Sequence, residues 1–275
     1  MENLANARRF YKAYELAHAG IYFYDPAHQY YKQAGVSSRF MGYFASRVAG
    51  MGAVTAPVVT SSFYSFSPSA IENFIPLAWS LTTPGAMIEA RLKAAGEMLA
   101  VPCQSLGDEV DYLIEKLEPI SKTLPLYGRP LFAGHLSIEL SSDRPTRLWQ
   151  LITLFREHRG DNHINCLVHA QISGIEANYL HFLDGRIPRE FLTRSRGFSD
   201  QEWDDALQVL ITRGLVAKDG QSLTTEGKSL KASIEDETDA LSNQGPAQLA
   251  DDTERVIETL QKLSKLVKET HSLPI

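Results

Sequence analysis

The stretch from Leu148 to His169, LWQLITLFREHRGDNHINCLVH, predicts an apolar helix that leads directly into a cluster of ionisable side chains. Its apolar residues recur at three- and four-residue steps and share one helical face: Leu148, Leu151, Ile152 and Phe155. His158 and Arg159 continue that face toward the core, where an unpartnered polar group costs about 2–7 kcal/mol. We expect the helix to end near His158, with a turn through Asp161, and carboxylates to supply the partners.

The composition is that of an ordinary soluble globular protein. With 275 residues, 44 % apolar and 22 % charged, the chain can form one large domain or two small ones. A net charge of −6 disfavours nucleic acid, because binding it requires Lys and Arg to neutralise phosphates. The first residues contain no signal core, the apolar run at 48–59 is too short to span a bilayer, and the two cysteines lack metal-type spacing. We therefore expect a cytoplasmic protein with no membrane partner.

Helical periodicity dominates the rest of the chain. Besides the opening stretch, helices are predicted at 4–18, 25–34, 38–47, 69–81, 83–99, 108–117, 198–213, 225–241 and 251–270. Residues 122–145, which are rich in Pro, Gly and Ser, are the predicted linker. Short strand-like pieces at 214–216 and 222–224, joined by a Lys-Asp-Gly turn, predict a small β wing.

The second half of the chain repeats short motifs of the first half in the same order. His18-Ala19-Gly20 is echoed by His158-Arg159-Gly160. Three further matches keep the order: Ala34 to Ser37 with Ala170 to Ser173, Phe66-Ser67 with Phe198-Ser199, and Leu81 to Gly85 with Leu223 to Gly227. Four ordered matches indicate an internal duplication.

These patterns predict an all-α fold, mainly helical with a small β wing, built as tandem winged-helix-like repeats that form an intrachain pseudo-dimer. The predicted units are 1–121 and 146–242, with the linker at 122–145 between them and a C-terminal docking helix at 251–270. That helix carries a narrow apolar stripe, Val256, Leu260, Leu263 and Val267. The stripe is suited to docking on the body of the protein or to joining two copies in a homodimer.

The chain resembles the bacterial SalK-like helix-turn-helix family, which is common in actinobacteria. The most specific mark is the run from Arg156 to Asp161, REHRGD, followed by His163. Further marks are Tyr14-Glu15 with His18, Tyr22-Phe23, Gly128 to Ala133, Arg196 to Phe198, Arg213 to Leu215, Leu223-Thr224 with Gly227, and Glu235 with Thr238-Asp239. Asn162 and Phe198 depart from the family pattern, which has glycine and tryptophan there. The resemblance covers most of the chain and implies the fold and a site, but no reaction.

A winged helix suggests a transcription regulator, but fold alone does not establish that function. The expected recognition helix of the second unit, 174–184, carries two acids, no Lys or Arg, and Asn178 as its one plausible base reader. In the first unit, Arg39 and Arg47 lie among apolar residues, and Lys218 in the wing is next to Asp219. DNA is therefore a candidate partner that the charge pattern disfavours.

The ionisable cluster predicts a small-molecule site between the two units. We expect His158, Arg159, Asp161 and His163 to be catalytic, because a histidine tuned by a carboxylate can move protons and an arginine can hold an anionic or carbonyl group. The expected ligand-binding residues are Tyr14, Glu15, His18, Tyr43, Arg47, Phe63 and Trp149. The leading hypothesis is an enzyme, or enzyme-like binder, that acts on an apolar or aromatic metabolite of secondary metabolism by cofactor-independent acid–base chemistry.

Three alternatives remain open. The cluster can be structural, with Arg159 and Asp161 forming a buried salt bridge that fixes a turn. The same cavity can serve a ligand-responsive winged-helix transcription regulator as its sensor. No cofactor is predicted, although His18, His158 and His163 could together hold a metal ion. Two residues are assigned to the surface: Arg91, paired with Glu89 on a solvated helix, and His135 in the linker.

Overall fold

The computed structural model describes residues 2–185 and 188–273, and in these residues the chain forms fourteen α-helices and no β-strand. The predicted all-α class is therefore confirmed. The helices are α1 Glu2–Ala19, α2 Asp25–Gln33, α3 Arg39–Val48, α4 Ala56–Ser62, α5 Pro68–Leu81, α6 Pro84–Leu106, α7 Glu109–Ser121, α8 Pro130–Leu136, α9 Arg144–His169, α10 Gly174–Leu183, α11 Arg189–Arg196, α12 Asp200–Thr212, α13 Thr225–Ser242 and α14 Thr253–His271. None of these helices is long and apolar enough to cross a membrane.

The described residues divide into two compact units, and neither is continuous in sequence. Unit 1 takes its residues from Met1–Val54, Leu77–Asn162 and Asp239–Ile275, and unit 2 from Thr55–Pro76 and His163–Thr238. The division falls inside α5, α9 and α13. This division by packing differs from the predicted units, 1–121 and 146–242. Those units rest on the repeated motifs, and the duplication that they imply remains a prediction.

α9 does not end near His158, so the predicted turn at Arg159 to Asp161 is wrong. The helix continues through Gly160 to His169. A glycine inside a helix costs about 1 kcal/mol relative to alanine, but here it makes room: a Cβ at Gly160 would lie 2.9 Å from Nη1 of Arg156. The ionisable residues of this segment therefore point to different sides of one helix instead of meeting in a turn.

The predicted linker, 122–145, contains a helix that packs into the core of unit 1. Pro130 begins α8, where its missing N–H is not needed, and Gly128 provides the positive φ of 69° for the preceding turn. Leu131 and Phe132 are buried. Pro and Gly suggested a linker here, but they mark helix starts and tight turns as well as flexible segments.

The C-terminal helix α14 lies along α1 within unit 1. The residues of its apolar stripe are completely buried there: Val256, Leu260, Leu263 and Val267. The hydroxyl of Ser264 donates to the Ala13 carbonyl at 2.6 Å and accepts from the Ala17 N–H at 3.2 Å. The stripe is covered by the chain's own α1, so it provides no support for a homodimer through this surface.

In the second half of unit 2, a short turn lies between two helices at the position of the predicted β wing. The predicted strand pieces form a single antiparallel bridge between Val216 and Leu223, with a turn in which Gly220 has a φ of 71°. α12 immediately precedes this bridge and α13 follows it. Trp203 of α12 and Tyr179 of α10 pack edge to face in the unit's apolar core, with ring centroids 5.1 Å apart.

Candidate functional site

The centre of unit 1 holds a buried ion pair between α3 and α9. Arg47 donates from Nε and Nη2 to the carboxylate of Glu157 over 2.8–3.1 Å. Glu157 is 0 % exposed and Arg47 is 6 % exposed. Burial opposes the charge of the carboxylate, but Arg47 and Arg156 hold the pKa of Glu157 well below its usual range. The carboxylate is therefore ionised at neutral pH.

Arg156 connects this pair to α1. Its Nη1 donates to Glu157 at 3.2 Å, and its Nε lies 3.7 Å from the half-buried carboxylate of Glu15. Burial raises the pKa of Glu15, while Arg156 acts against that shift. Glu15, which was predicted to bind a ligand, lies where it can serve as a counter-charge for Arg156.

His18 of α1 has a partner on each ring nitrogen. Thr153 donates its hydroxyl hydrogen to the Trp149 carbonyl at 2.8 Å, so its oxygen accepts from Nδ1 of His18 at 3.1 Å. Nε2 then accepts from the hydroxyl of Tyr22 at 3.0 Å. The ring stacks on Trp149, with centroids 5.5 Å apart and planes 8° from parallel. Burial holds the pKa of His18 well below its usual range, so the imidazole is neutral.

Arg91 of α6 is the second buried arginine of the cluster, and its contacts are all with neutral groups. It donates to the hydroxyls of Ser46 and Tyr22, each at 3.2 Å, and its guanidinium lies 4.9 Å from the ring centroid of Trp149. The side chain is 2 % exposed, and its Nε has no hydrogen-bond partner. The predicted surface pairing with Glu89 is therefore wrong.

His135 of α8 is placed beside this cluster by a close approach of two glycines. A Cβ on Gly50 would overlap the carbonyl oxygen of Gly134, and a Cβ on Gly134 would lie 2.6 Å from Cγ of Met51. His135 is 8 % exposed, and its Nε2 has no hydrogen-bond partner. Burial lowers the pKa of His135 to about 4, so the ring is neutral at pH 7. Its predicted place in an exposed linker is wrong.

Arg91 and His135 line one small cavity in unit 1. Its volume is about 10 Å³, roughly the space of one water molecule, and Trp149 and Thr153 also line it. Two residues that line the same cavity thus each have a buried polar atom without a partner. Buried polar groups are almost always hydrogen-bonded, so such a pair requires an explanation.

The four predicted catalytic residues do not line this cavity. His158 shares a 3.4 Å contact with the Asn162 amide through Nδ1, and its ring packs edge to face on Phe132. Burial, followed by Arg129, lowers the pKa of His158 to about 3. Asp161 accepts from the Phe132 N–H at 2.9 Å, which caps the start of α8, and burial raises the pKa of Asp161 to about 7.

The other two members of that group contact α13. Arg159 donates to Asp239 at 2.6 Å and lies 4.4 Å from the ring centroid of Tyr11. Half-buried His163 shares a 3.1 Å hydrogen bond with the hydroxyl of Thr238. Arg159 therefore forms an ion pair with Asp239 in place of the predicted pair with Asp161.

The other predicted ligand-binding residues fall into three groups: one that lines the cavity, those of the polar cluster around it, and those that are buried elsewhere. Trp149 lines the cavity, and His18 and Arg47 belong to the polar cluster around it. Tyr43 joins the same cluster by accepting from Nη1 of Arg47 at 2.7 Å. Tyr14 is buried against the ring of Phe10, at a centroid distance of 5.2 Å. Phe63 is a buried residue of unit 2.

No group of three or more His, Cys, Asp or Glu side chains in the described ranges is arranged to hold a metal ion. The histidines proposed as a metal site have separate neighbours: Tyr22 and Thr153 for His18, Asn162 for His158, and Thr238 for His163.

Comparison with known families identifies the family of this chain. The sequence model of the Helix-turn-helix family matches residues 7–274. The chain belongs to this helix-turn-helix family. No curated protein and no solved structure gives a significant match to the chain.

Unit 2 of this helix-turn-helix protein is acidic where a DNA-reading surface is basic. It holds eight Lys or Arg against thirteen Asp or Glu. α12, the helix before the hairpin, contains no Lys or Arg and exposes Asp200, Glu202, Asp204 and Asp205. The predicted base reader on α10, Asn178, is instead buried and donates to the Ser65 carbonyl at 2.9 Å. Carboxylates on this surface oppose contact with phosphates.

Two residues at the cavity were missed from the sequence, and each carried a signal. Arg91 follows Met87 by four residues and precedes Ala94 by three, so it lies on the buried stripe of α6. His135 follows Leu131 by four residues and Phe132 by three. In both helices the polar residue continues an apolar face, which is the pattern that correctly placed His158 in the core.

Proposed function

We propose that this helix-turn-helix protein binds a small molecule in the cavity of unit 1. The observation that carries the proposal is the pair of buried polar atoms without partners, Nε of Arg91 and Nε2 of His135, at one cavity. Small-molecule sites usually combine an apolar lining with a few converging polar groups, as this cavity does, and a ligand would enlarge its one-water volume by displacing the aliphatic side chains. His18 stacks on Trp149, and the hydroxyl of Tyr22 bonds both His18 and Arg91, so these contacts help to hold Arg91 and Trp149 in place.

The enzyme form of this proposal is cofactor-independent acid–base chemistry on an apolar or aromatic metabolite. His135, rather than His158, then becomes the candidate proton acceptor, because it is neutral and lines the cavity. A ligand that is found to bind would be incubated with the protein and followed by mass spectrometry. Loss of turnover in His135→Gln, with ligand binding retained, would support catalysis by His135. If the wild type does not convert the ligand, the enzyme form of the proposal is wrong and the protein only binds its ligand.

A second candidate, a ligand-responsive transcription regulator, is favoured by the family match and by the resemblance to SalK-like helix-turn-helix proteins. The acidic outer face of α12 opposes it. Gel-shift assays with the promoter region of the protein's own gene, at physiological salt, distinguish the two. A sequence-specific shift would establish the regulator, and binding that is absent or insensitive to sequence would exclude it for that region.

We further propose that 1–121 and 146–242 descend from one winged-helix-like unit by duplication, giving an intrachain pseudo-dimer. Support comes from two helix ends. Gly35 and Gln171 both have positive φ, 101° and 53°. The residue after each donates its N–H to the carbonyl five residues earlier, at 2.8 Å for Val36 and 3.0 Å for Ile172. The same motif thus ends the helix before each aligned segment.

The ligand proposal is tested by native mass spectrometry of the purified protein and by thermal-shift screening with apolar acids and their neutral amides. We expect at least one compound to raise the melting temperature in a saturable way. Leu92→Phe, which adds bulk at the cavity wall, should abolish that rise. Leu77→Phe adds the same atoms at a side chain that is 49 % exposed and is the matched control. A rise that survives Leu92→Phe would place the ligand elsewhere.

A further inference from the structure

The charges around the cavity do not balance, and the imbalance lies at Arg91. Three arginines, Arg47, Arg91 and Arg156, meet two carboxylates, Glu15 and Glu157. Arg47 and Arg156 use both carboxylates. Within the described chain, Arg91 has only hydroxyl groups and aromatic rings as partners.

A guanidinium stays protonated at any physiological pH, so Arg91 cannot avoid its charge by losing a proton. Contact with the faces of Trp149 and Tyr22 offsets part of the cost of burial. The Nε–H remains without an acceptor. A water molecule could accept that hydrogen bond, but it brings no counter-charge, whereas an anion provides both.

Much of the remaining wall of the cavity is apolar. Its side chains include Ile88, Leu92, Ile138, Leu140 and Leu154. A strongly hydrated multivalent anion would lose too much hydration on entering such a site. A carboxylate attached to an apolar group fits better, because the head can accept from Arg91 and the remainder can pack on aliphatic side chains.

We propose that the cavity of unit 1 is a binding site for the carboxylate of an apolar monocarboxylic acid, held by the Nε–H of Arg91. The proposal rests on the ligand-binding function above and specifies its chemical class. The cavity has room for about one water molecule, so the head group and the chain of the acid both displace side chains of the aliphatic wall. Trp149 and Thr153 complete the polar side of the site.

The experiment compares acetate and butyrate with acetamide and butyramide on the full-length protein, at constant ionic strength set with sodium chloride. Melting temperature and saturation-transfer NMR are recorded over a concentration series. We expect the carboxylates, but not the amides, to bind saturably, with butyrate tighter than acetate. Arg91→Gln should weaken carboxylate binding about 10- to 100-fold, as expected for loss of a charge-assisted hydrogen bond.

Arg144→Gln is the matched control, because Arg144 is an exposed arginine of the same unit, paired with Asp111 at 2.7 Å. It should bind carboxylates as the wild type does. If Arg91→Gln does not fold, the wild-type comparison of acids with amides decides alone. Equal binding of acids and amides would overturn the carboxylate assignment and leave the ligand-binding function standing. Saturable binding of other neutral compounds would likewise overturn the carboxylate assignment and leave the ligand-binding function standing. If no probe and no screened compound binds, the carboxylate assignment and the ligand-binding function are both overturned.

Discussion

Arg47 donates three hydrogen bonds to Glu157, and this pair joins α3 to α9 at the centre of unit 1. Removing one partner of a buried pair leaves an uncompensated charge, which typically costs about 3–5 kcal/mol. We expect Arg47→Met to lower the free energy of unfolding by that amount, as measured by urea denaturation. The double variant Arg47→Met/Glu157→Met should lose less than the two single variants combined. Additive losses would show that the pair is not coupled.

The pKa of Asp161 makes stability depend on pH. Burial raises this pKa from 3.8 to about 7 in the folded protein. Between these values the folded state holds a proton that the unfolded state has released, so this contribution to stability is complete below pH 3.8 and is lost as the pH rises through 7. The slope from this group is at most about 1.4 kcal/mol per pH unit.

Asp161→Asn tests this dependence, because the amide oxygen can still accept from the Phe132 N–H but does not ionise. We expect the difference in unfolding free energy between variant and wild type to grow in favour of the variant from pH 5 to pH 7.5. Urea denaturation over that range measures it. A constant difference would mean that the carboxyl is already ionised in the folded protein at pH 5.

Thr153 satisfies Nδ1 of buried His18, and Thr153→Val removes that acceptor with little change in volume. A buried N–H without a partner costs about 1–3 kcal/mol. We expect a loss of that size in thermal or urea unfolding. Thr193→Val, at a half-buried threonine of α11 whose hydroxyl donates only to its own helix, is the control and should change stability little. Equal losses in both variants would argue against the hydrogen bond at His18.

The acidic face of α12 predicts weak binding to DNA of any sequence. Asp204→Lys/Asp205→Lys changes the net charge of unit 2 from −5 to −1. We expect the variant to bind random duplex DNA more tightly than the wild type, with an affinity that falls steeply with salt. Fluorescence anisotropy measures both. An unchanged affinity would show that α12 does not approach the duplex.

How much of this could be predicted is clearest in α9. The apolar stripe and the burial of His158 and Arg159 followed from helical spacing, and the structure places both residues in the core. The partners did not follow, because Asp239 is 80 residues beyond Arg159 and no local pattern joins them. The end of the helix was placed too early. Gly160 lies inside α9, where the absence of a Cβ leaves space for the Arg156 side chain, and such a packing effect cannot be recognised from the local sequence.

The cavity was harder to predict than the helices. Arg91 and His135 come from helices far apart in sequence, and the approach of α8 depends on Gly50 and Gly134 meeting without side chains. Composition marked the segment around Gly134 as a linker. Only the spacing of His135 from Leu131 and Phe132 pointed to a buried helix, and that signal spans less than two turns.

Trp149 contacts both the imidazole of His18 and the guanidinium of Arg91. Its indole emission therefore depends on the same groups that line the cavity and surround it, so an occupant beside Arg91 should alter the wavelength or the quenching of that emission. The chain contains three tryptophans, and replacing Trp79 and Trp203 by Phe would isolate the signal. The protein thus contains an intrinsic optical probe of its own cavity, and titrations can be followed without any label.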